Sequence, residues 1–362
     1  MNNVFDYETV ALVDEDDAIE IIDQTLLPGE CKLIRLRTGQ EIWDAIYLLQ
    51  VRGAPAIGVT AGFGIYLLTK TSKASSYEEF LAELKEHKDF LNSSRPTAVN
   101  LSWALNRMEE HIRDYYAKLM AQDSECGFDK LLPLLIKEMR AEAETIKEED
   151  IKVCRKIGEY GLSLIKDGDG ILTHCNAGKL ATIKYGTATA PIYMAHEKGL
   201  AIKAYCDETR PLLQGARLTA FELSSAGIDT TLLCDNMSGS LMRSGKIQAI
   251  FVGCDRVAAN GDVANKIGTS MVATLAAYYH ISFYVCAPTS TIDLDCKSGD
   301  DIVIEQRKAA EVTDMWYEKP MAPEGINVYN PAFDITDNSL ITAIITEKGI
   351  FRKPYDLKVS LQ

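Results

Sequence analysis

From about residue 168 to residue 287 the chain repeats one rhythm: a short apolar run, a polar cluster, then a segment of helical periodicity. The apolar runs lie at 170–174, 201–206, 230–234, 247–252 and 283–287, with helices expected over 180–197, 214–226, 236–243 and 266–279. A further strand is expected near 327–329, before a helix over 338–347. Short buried strands alternating with helices predict a parallel sheet with right-handed crossovers. The expected fold is α/β and Rossmann-like, with helices on both faces of the sheet. No G-x-G-x-x-G follows the first strand, so a dinucleotide is not expected.

In such a sheet every strand end points to one edge, where ligands bind. The strand ends are polar here. The first carries His174, Cys175 and Asn176, followed by Ala177 and Gly178. The second carries Asp207, Glu208, Thr209 and Arg210, with Gln214 opening the next helix. The third carries Asp235 and Asn236, and the fifth Thr289, Ser290 and Thr291.

The fourth is the densest. Ala249, Ile250, Phe251 and Val252 form the strand, Gly253 ends it, and Asp255 and Arg256 follow. Asn260-Gly261-Asp262 reads as a turn, because Asn and Gly tolerate positive φ. Asn265 and Lys266 are expected where the next helix begins. This stretch suits a ligand site better than the alternative, a salt-bridged loop that only caps a helix. Asp255 could act as a general acid if burial raised its pKa, whereas an ion pair with Arg256 or Lys266 would keep it ionised. Cys175 lies past its apolar run. A helix N-terminus lowers a thiol pKa and apolar surroundings raise it, so proton exchange and plain packing are both open. His174 reads as a strand-end histidine of the core. Asp207 and Glu208 read as a charge network with Arg210. A thiol and a carboxyl among amides and cations suit proton shuffling on a small phosphorylated sugar. No metal-ligand spacing occurs, so a metal-free mechanism is expected.

The first half reads differently. Short strands are expected up to about residue 30, then helices over 39–50, 56–69, 77–91 and 101–160, with a break near 123–127. The Glu-rich run 138–150 marks a boundary. The expected organisation is a mainly helical domain over 1–150 and a Rossmann-like domain over 151–362. Within the first, Arg52, Gly53 and Ala54 precede Pro55 at a helix start. Amide N–H groups and the helix dipole there can hold a phosphate, and tight helix packing beside a solvated Arg is the other reading. Arg95 is a second cation, in the loop 93–97.

A net charge of −14 argues against nucleic acid as a partner. No apolar run has the length of a membrane span, and the acidic N-terminus lacks a signal-peptide core, so a cytoplasmic enzyme is expected. The nine cysteines are odd in number and form no C-x-x-C pair. Neither zinc nor a disulfide framework is indicated, and most are expected to be free thiols of the core.

The segments HCNAGKLAT, DETRPLLQGARLT, CDNM, GCDRVAANGDVANKIGT and NPAFDIT resemble the methylthioribose-1-phosphate isomerases, as do DQTLLP, VRGAPAIG and SRPTAVNL nearer the start. The resemblance spans nearly the whole chain. It implies conversion of 5-methylthioribose 1-phosphate to 5-methylthioribulose 1-phosphate in methionine salvage, by a homodimer without a cofactor. By the same resemblance Cys175 and Asp255 are the catalytic pair. Phosphate and sugar contacts fall to Arg52, Gly53, Ala54, Arg95, Gln214, Asn265 and Lys266. Cys254 stands where the family usually has alanine, and Thr289 where it has leucine. Isomerases of 5-deoxyribose 1-phosphate or ribose 1,5-bisphosphate are the alternatives. A more distant one is a non-catalytic scaffold like the regulatory subunits of translation initiation factor 2B, which share the fold.

Overall fold

The computed structural model describes residues 4–96 and 98–360. Thr97 of the expected Arg95 loop lies outside the described residues. The chain divides into two compact units, one of residues 1–152 with 180–184, the other of 153–179 with 185–362.

The first unit begins with an antiparallel sheet of β1 (Val10–Val13), β2 (Ala18–Ile22) and β3 (Leu33–Leu36). Helices follow: α1 (Gly39–Tyr47), α2 (Ala54–Thr69), α3 (Tyr77–Asn92), α4 (Val99–Gln122) and α5 (Phe128–Leu162), the last turns of α5 belonging to the second unit. Their starts are written locally. Thr38 and Glu41 form a reciprocal capping box at α1, and Ser76 caps α3. Helix α2 is apolar on every face, and it is correspondingly buried.

The second unit is built on a seven-stranded sheet. Its strands are β4 (Gly170–Thr173), β5 (Lys203–Asp207), β6 (Thr230–Leu233), β7 (Ala249–Val252), β10 (Ser282–Cys286), β13 (Ala343–Thr346) and β14 (Gly349–Phe351). All pairings are parallel except that of β13 with β14. Side chains alternate between two cores. Ile171, Phe251 and Tyr284 join one with Ile192 and Ala195 of α6 (Ala190–Glu197) and Leu223 of α7 (Ala220–Ser225). Leu172, Ile250 and Phe283 join the other with Met242 of α8 (Ser238–Arg243) and Val272 and Ala276 of α9 (Thr269–Tyr278). Helices therefore cover both faces, as parallel sheets require. A second sheet has the order β11-β8-β9-β12. It comprises β8 (Arg256–Ala258), β9 (Val263–Lys266), β11 (Ile292–Asp293) and β12 (Phe333–Thr336). Short helices α10 (Ala310–Thr313) and α11 (Leu357–Ser360) complete the unit.

Several expectations change. Residues 327–329 form no strand, and 338–347 holds a short 3-10 turn, Asn338–Leu340, followed by the strand β13 rather than one helix. Ile341, Thr342, Ile344, Ile345 and Thr346 are β-branched, and β13 docks in parallel on β10, where such side chains pack well. Over 180–197 only α6 is α-helical; the chain before it is irregular around Gly186, whose φ is +76°. The expected helix over 266–279 begins at Thr269, so Asn265 and Lys266 lie on β9 instead of at a helix start.

Candidate active site

The strand order β14-β13-β10-β7-β4-β5-β6 locates the site. From β4 the chain moves outward through β5 and β6, then returns to place β7 on the other side of β4. Reversal of winding leaves a crevice outside the carboxyl ends of β4 and β7. Cys175 follows β4 by two residues and Asp255 follows β7 by three. Neighbouring strands lie about 4.8 Å apart, so both residues leave the sheet side by side. Gly253 makes the approach possible, since a Cβ there would stand 2.5 Å from the Ala177 Cβ.

The Cys175 turn is held by distant side chains. Cys175 is buried and has φ +64°. Its N–H donates to Thr209 Oγ1 (2.8 Å), and its carbonyl accepts from Thr219 Oγ1 (2.6 Å). Next to it, Asn176 Nδ2 donates to Thr219 Oγ1 (3.1 Å) and Glu222 Oε1 (3.2 Å). The buried Glu222 carboxylate also accepts from Lys179 N–H (2.8 Å) and the Tyr193 hydroxyl (2.9 Å). Gly178 is required there, because a Cβ would run into that carboxylate.

His174 is fully buried between two partners. Its Nε2 lies 2.9 Å from the Ile267 carbonyl and its Nδ1 3.0 Å from Asp207 Oδ2. A carbonyl only accepts, so Nε2 carries a proton. The contact between Nδ1 and Asp207 then holds one further proton, and the pair is neutral as a whole. Burial alone would lower the His174 pKa, but the Asp207 carboxylate outweighs it and the pKa rises. Burial raises Asp207 more than His174 lowers it. Asp207 therefore serves His174, not the expected network with Arg210. The Arg210 guanidinium donates to the Val312 carbonyl (2.7 Å) and the Pro211 carbonyl (3.3 Å). His174, Asp207 and Asp235 cluster closely enough to suggest a metal site. Asp235 accepts from the N–H groups of Thr209 and Arg210, both at 2.7 Å, while Asp207 Oδ1 is buried with no hydrogen-bond partner among the described residues.

The Asp255 arm is a hairpin. β8 and β9 pair antiparallel around Asn260-Gly261, with Gly261 at φ +87°. Asp255 is half-buried, and its N–H donates to the Ala264 carbonyl (2.9 Å). Arg256 reaches Asp293 at 3.6 Å. Asp262 accepts from Gly299 N–H, Asn260 Nδ2, and both Asn338 N–H and Nδ2. Burial opposes ionisation of Asp262, yet these donors outweigh it and hold its pKa below the usual value. On β9, buried Asn265 donates to Thr269 Oγ1 (3.0 Å), and the Lys266 ammonium lies 4.8 Å from the Phe333 ring centre. Asp334 holds the start of α9 through Gly268 N–H, Ser270 N–H and Ser270 Oγ.

Gln214 is buried at the start of a π-helical turn, Gly215–Thr219, and its Oε1 has no hydrogen-bond partner among the described residues. Such turns recur at functional sites. The neighbouring thiols are poor nucleophiles. Burial pushes Cys254 up to about 12, although its contact with Thr291 Oγ1 (3.2 Å) lowers it somewhat. Burial likewise raises Cys206 and Cys286. In the first unit, Gly53 precedes α2 with φ +90°, Pro55 lies in the first turn, and a Cβ on Gly53 would strike the Ala181 backbone. Arg52 and Ala54 flank it. Arg95 lies in the loop before α4, whose Asn100 comes close to Gly58 of α2. Helices α2 and α4 therefore meet near their starts. Thr219 and Glu222 carry no local signal, and Thr209 reads only as part of a polar strand end, because the bonds by which they hold the Cys175 turn reach across more than thirty residues of chain.

A switch-point thiol and carboxyl on a doubly wound sheet define a class: α/β proteins that handle a small ligand at the strand ends. The chain belongs to the initiation factor 2 subunit family, which matches residues 50–353. It is 59% identical to a methylthioribose-1-phosphate isomerase of Symbiobacterium thermophilum, over 96% of this chain and 94% of that one. It is 53% identical to a 5-deoxyribose 1-phosphate isomerase of Petrotoga mobilis, over 96% of each. Among solved structures, 5-methylthioribose 1-phosphate isomerase from Pyrococcus horikoshii OT3 is similar, with a TM-score of 0.85 and 42% identity, covering 98% of this chain and 95% of that one.

Proposed function

We propose that this protein is an aldose–ketose isomerase that converts 5-methylthioribose 1-phosphate to 5-methylthioribulose 1-phosphate. The observation that carries the reading is the emergence of Cys175 and Asp255 from the adjacent strands β4 and β7 at the switch point. Relatives on both sides of the 5-position, methylthio and deoxy, support a sugar 1-phosphate as substrate.

The anomeric phosphate locks the sugar as a ring. A proton must reach the ring oxygen as the C1–O bond breaks, and Asp255 supplies it. Hydrogen then moves from C2 to C1 while the 2-hydroxyl gives up its proton to the Asp255 carboxylate, which restores the acid and leaves a ketone at C2. In an enediol route Cys175 removes the C2 proton and returns it to C1; in a hydride route the hydrogen crosses with its electron pair. Arg52, Gly53, Ala54 and Arg95 hold the phosphate, with support from the helix starts at which they lie. Gln214, Asn265 and Lys266 contact the sugar. The working form is a cytoplasmic homodimer. Among the described residues no helix is long and apolar enough to cross a membrane.

The 53% relative favours a second reading, 5-deoxyribose 1-phosphate as substrate. Turnover by the purified chain on 5-methylthioribose 1-phosphate, 5-deoxyribose 1-phosphate and ribose 1,5-bisphosphate decides. The highest kcat/KM is expected on the methylthio sugar. A preference for either other sugar transfers the function to it. No turnover on any would favour a non-catalytic role like that of an initiation factor subunit. Reaction in deuterated water separates the chemical routes, with label at C1 expected for an enediol that exchanges with solvent.

A further inference from the structure

We propose that Thr209 and Thr219 are positioning residues that clamp Cys175 in the geometry its chemistry needs. The proposal rests on the catalytic reading of Cys175 given above. Cys175 is a non-glycine residue in the left-handed region, with φ +64°. That conformation is costly for a residue with a Cβ and persists only where the surroundings over-determine it. Here both peptide groups of the residue are gripped. The Cys175 N–H donates to Thr209 Oγ1 and the Cys175 carbonyl accepts from Thr219 Oγ1. Both threonines are fully buried.

The directions of these bonds follow from the partners alone. Thr209 Oγ1 accepts from Cys175, so its own hydrogen goes to the Asp207 carbonyl, 3.0 Å away. Thr219 Oγ1 faces a carbonyl and must donate to it, which leaves its lone pairs for Asn176 Nδ2. Neither hydroxyl can turn without breaking a second bond. Thr209 is itself at φ +66°, an unfavourable place for a β-branched residue. Its N–H is held there by Asp235. Gly215 lets the π-helical turn bearing Thr219 lie against this loop, since a Cβ there would strike the Asp207 carbonyl and approach Thr209 Oγ1. Strain at Cys175 is thus maintained by strain at Thr209, and two hydroxyls transmit it. A strand alternates its side chains between faces. A left-handed residue just past the strand breaks that alternation and re-aims the thiol.

The test uses Thr209→Val and Thr219→Val, which keep shape and remove the hydroxyl, beside Thr209→Ser and Thr219→Ser, which keep the hydroxyl. Each Val variant is expected to lower kcat about 10–100-fold while KM moves less than about threefold, because misplacement of a reacting group costs rate more than binding. Each Ser variant is expected to restore most of kcat. A second readout needs no substrate. Alkylation of each cysteine by iodoacetamide, followed by peptide mass spectrometry, should show Cys175 reacting severalfold faster in the Val variants. The exposed Cys234 and the buried Cys206 and Cys286 should be unchanged. If Cys206 and Cys286 speed up together with Cys175, the threonines merely stabilise the fold and the proposal fails. It also fails if the Val variants keep wild-type kcat, or if Ser does not rescue. Should the wild type turn over no sugar phosphate, the functional reading falls, while the alkylation pattern still decides whether the clamp exists.

Discussion

The two proposed catalytic residues leave neighbouring strands, but their main chains are held by opposite means. Asp255 sits at the foot of a β-hairpin, fixed by backbone bonds within twelve residues of itself. Cys175 sits in a strained turn, fixed by side chains thirty-four and forty-four residues away. A backbone ladder forms for almost any sequence with the right turn. A hydroxyl clamp forms only with particular residues on other strands and helices. The acid arm should therefore tolerate change around it, and the thiol arm should not.

The largest effect tests the comparison at its ends. Cys175→Ala and Asp255→Asn should each lower kcat about 10²–10⁴-fold, as loss of general acid–base groups does. Near-normal turnover by either variant would remove that residue from the mechanism. Next comes Gly215→Ala, which forces a Cβ onto the Asp207 carbonyl. A loss of stability of about 1–3 kcal/mol or more is expected in denaturant unfolding, because backbone cannot retreat as a flexible side chain can. Turnover should fall with it.

The third prediction concerns pH. The His174 pKa is raised in the folded state. The stability this contributes is fully present below the unfolded value, about 6.5, and is lost as pH rises through the folded value. Asp207→Asn removes the held proton. Above about pH 6.5 the melting temperature should fall more steeply in the wild type than in this variant. Equal slopes would mean that the pair holds no extra proton. The smallest effect belongs to the hairpin. Asn260 accepts from Asp262 N–H at 3.0 Å and donates to its carboxylate at 2.7 Å. Asn260→Ala should cost about 1 kcal/mol of stability, the worth of a typical net hydrogen bond, with kcat little changed. A collapse of turnover there would erase the contrast between the arms.

The same contrast governs what could be read in advance. The apolar runs gave β4, β5, β6, β7 and β10 of the main sheet, since short apolar runs between polar clusters leave few alternatives, but not β13 or β14. The Asn260-Gly261 turn and the Gly53-Ala54-Pro55 helix start were legible because their chemistry is local. The region 338–347 misled, because its apolar spacing fits a helix and only docking on β10 makes it a strand. Asn265 and Lys266 were expected at a helix start, but pairing with β8 and β12 draws them onto β9.

By itself, then, the sequence determined the alternating strands and helices, the polar strand ends, and the family motifs that single out Cys175 and Asp255. All of these depend on residues close together in the chain. Only the tertiary structure decided that β7 returns beside β4 and makes a switch point of those two ends. It alone turned Asp207 from a partner of Arg210 into the partner of His174, and set Thr209 and Thr219 on the two sides of Cys175. Strand order and buried hydrogen bonds are settled by whole faces packing at once, and no local pattern encodes which distant hydroxyl will meet which peptide group.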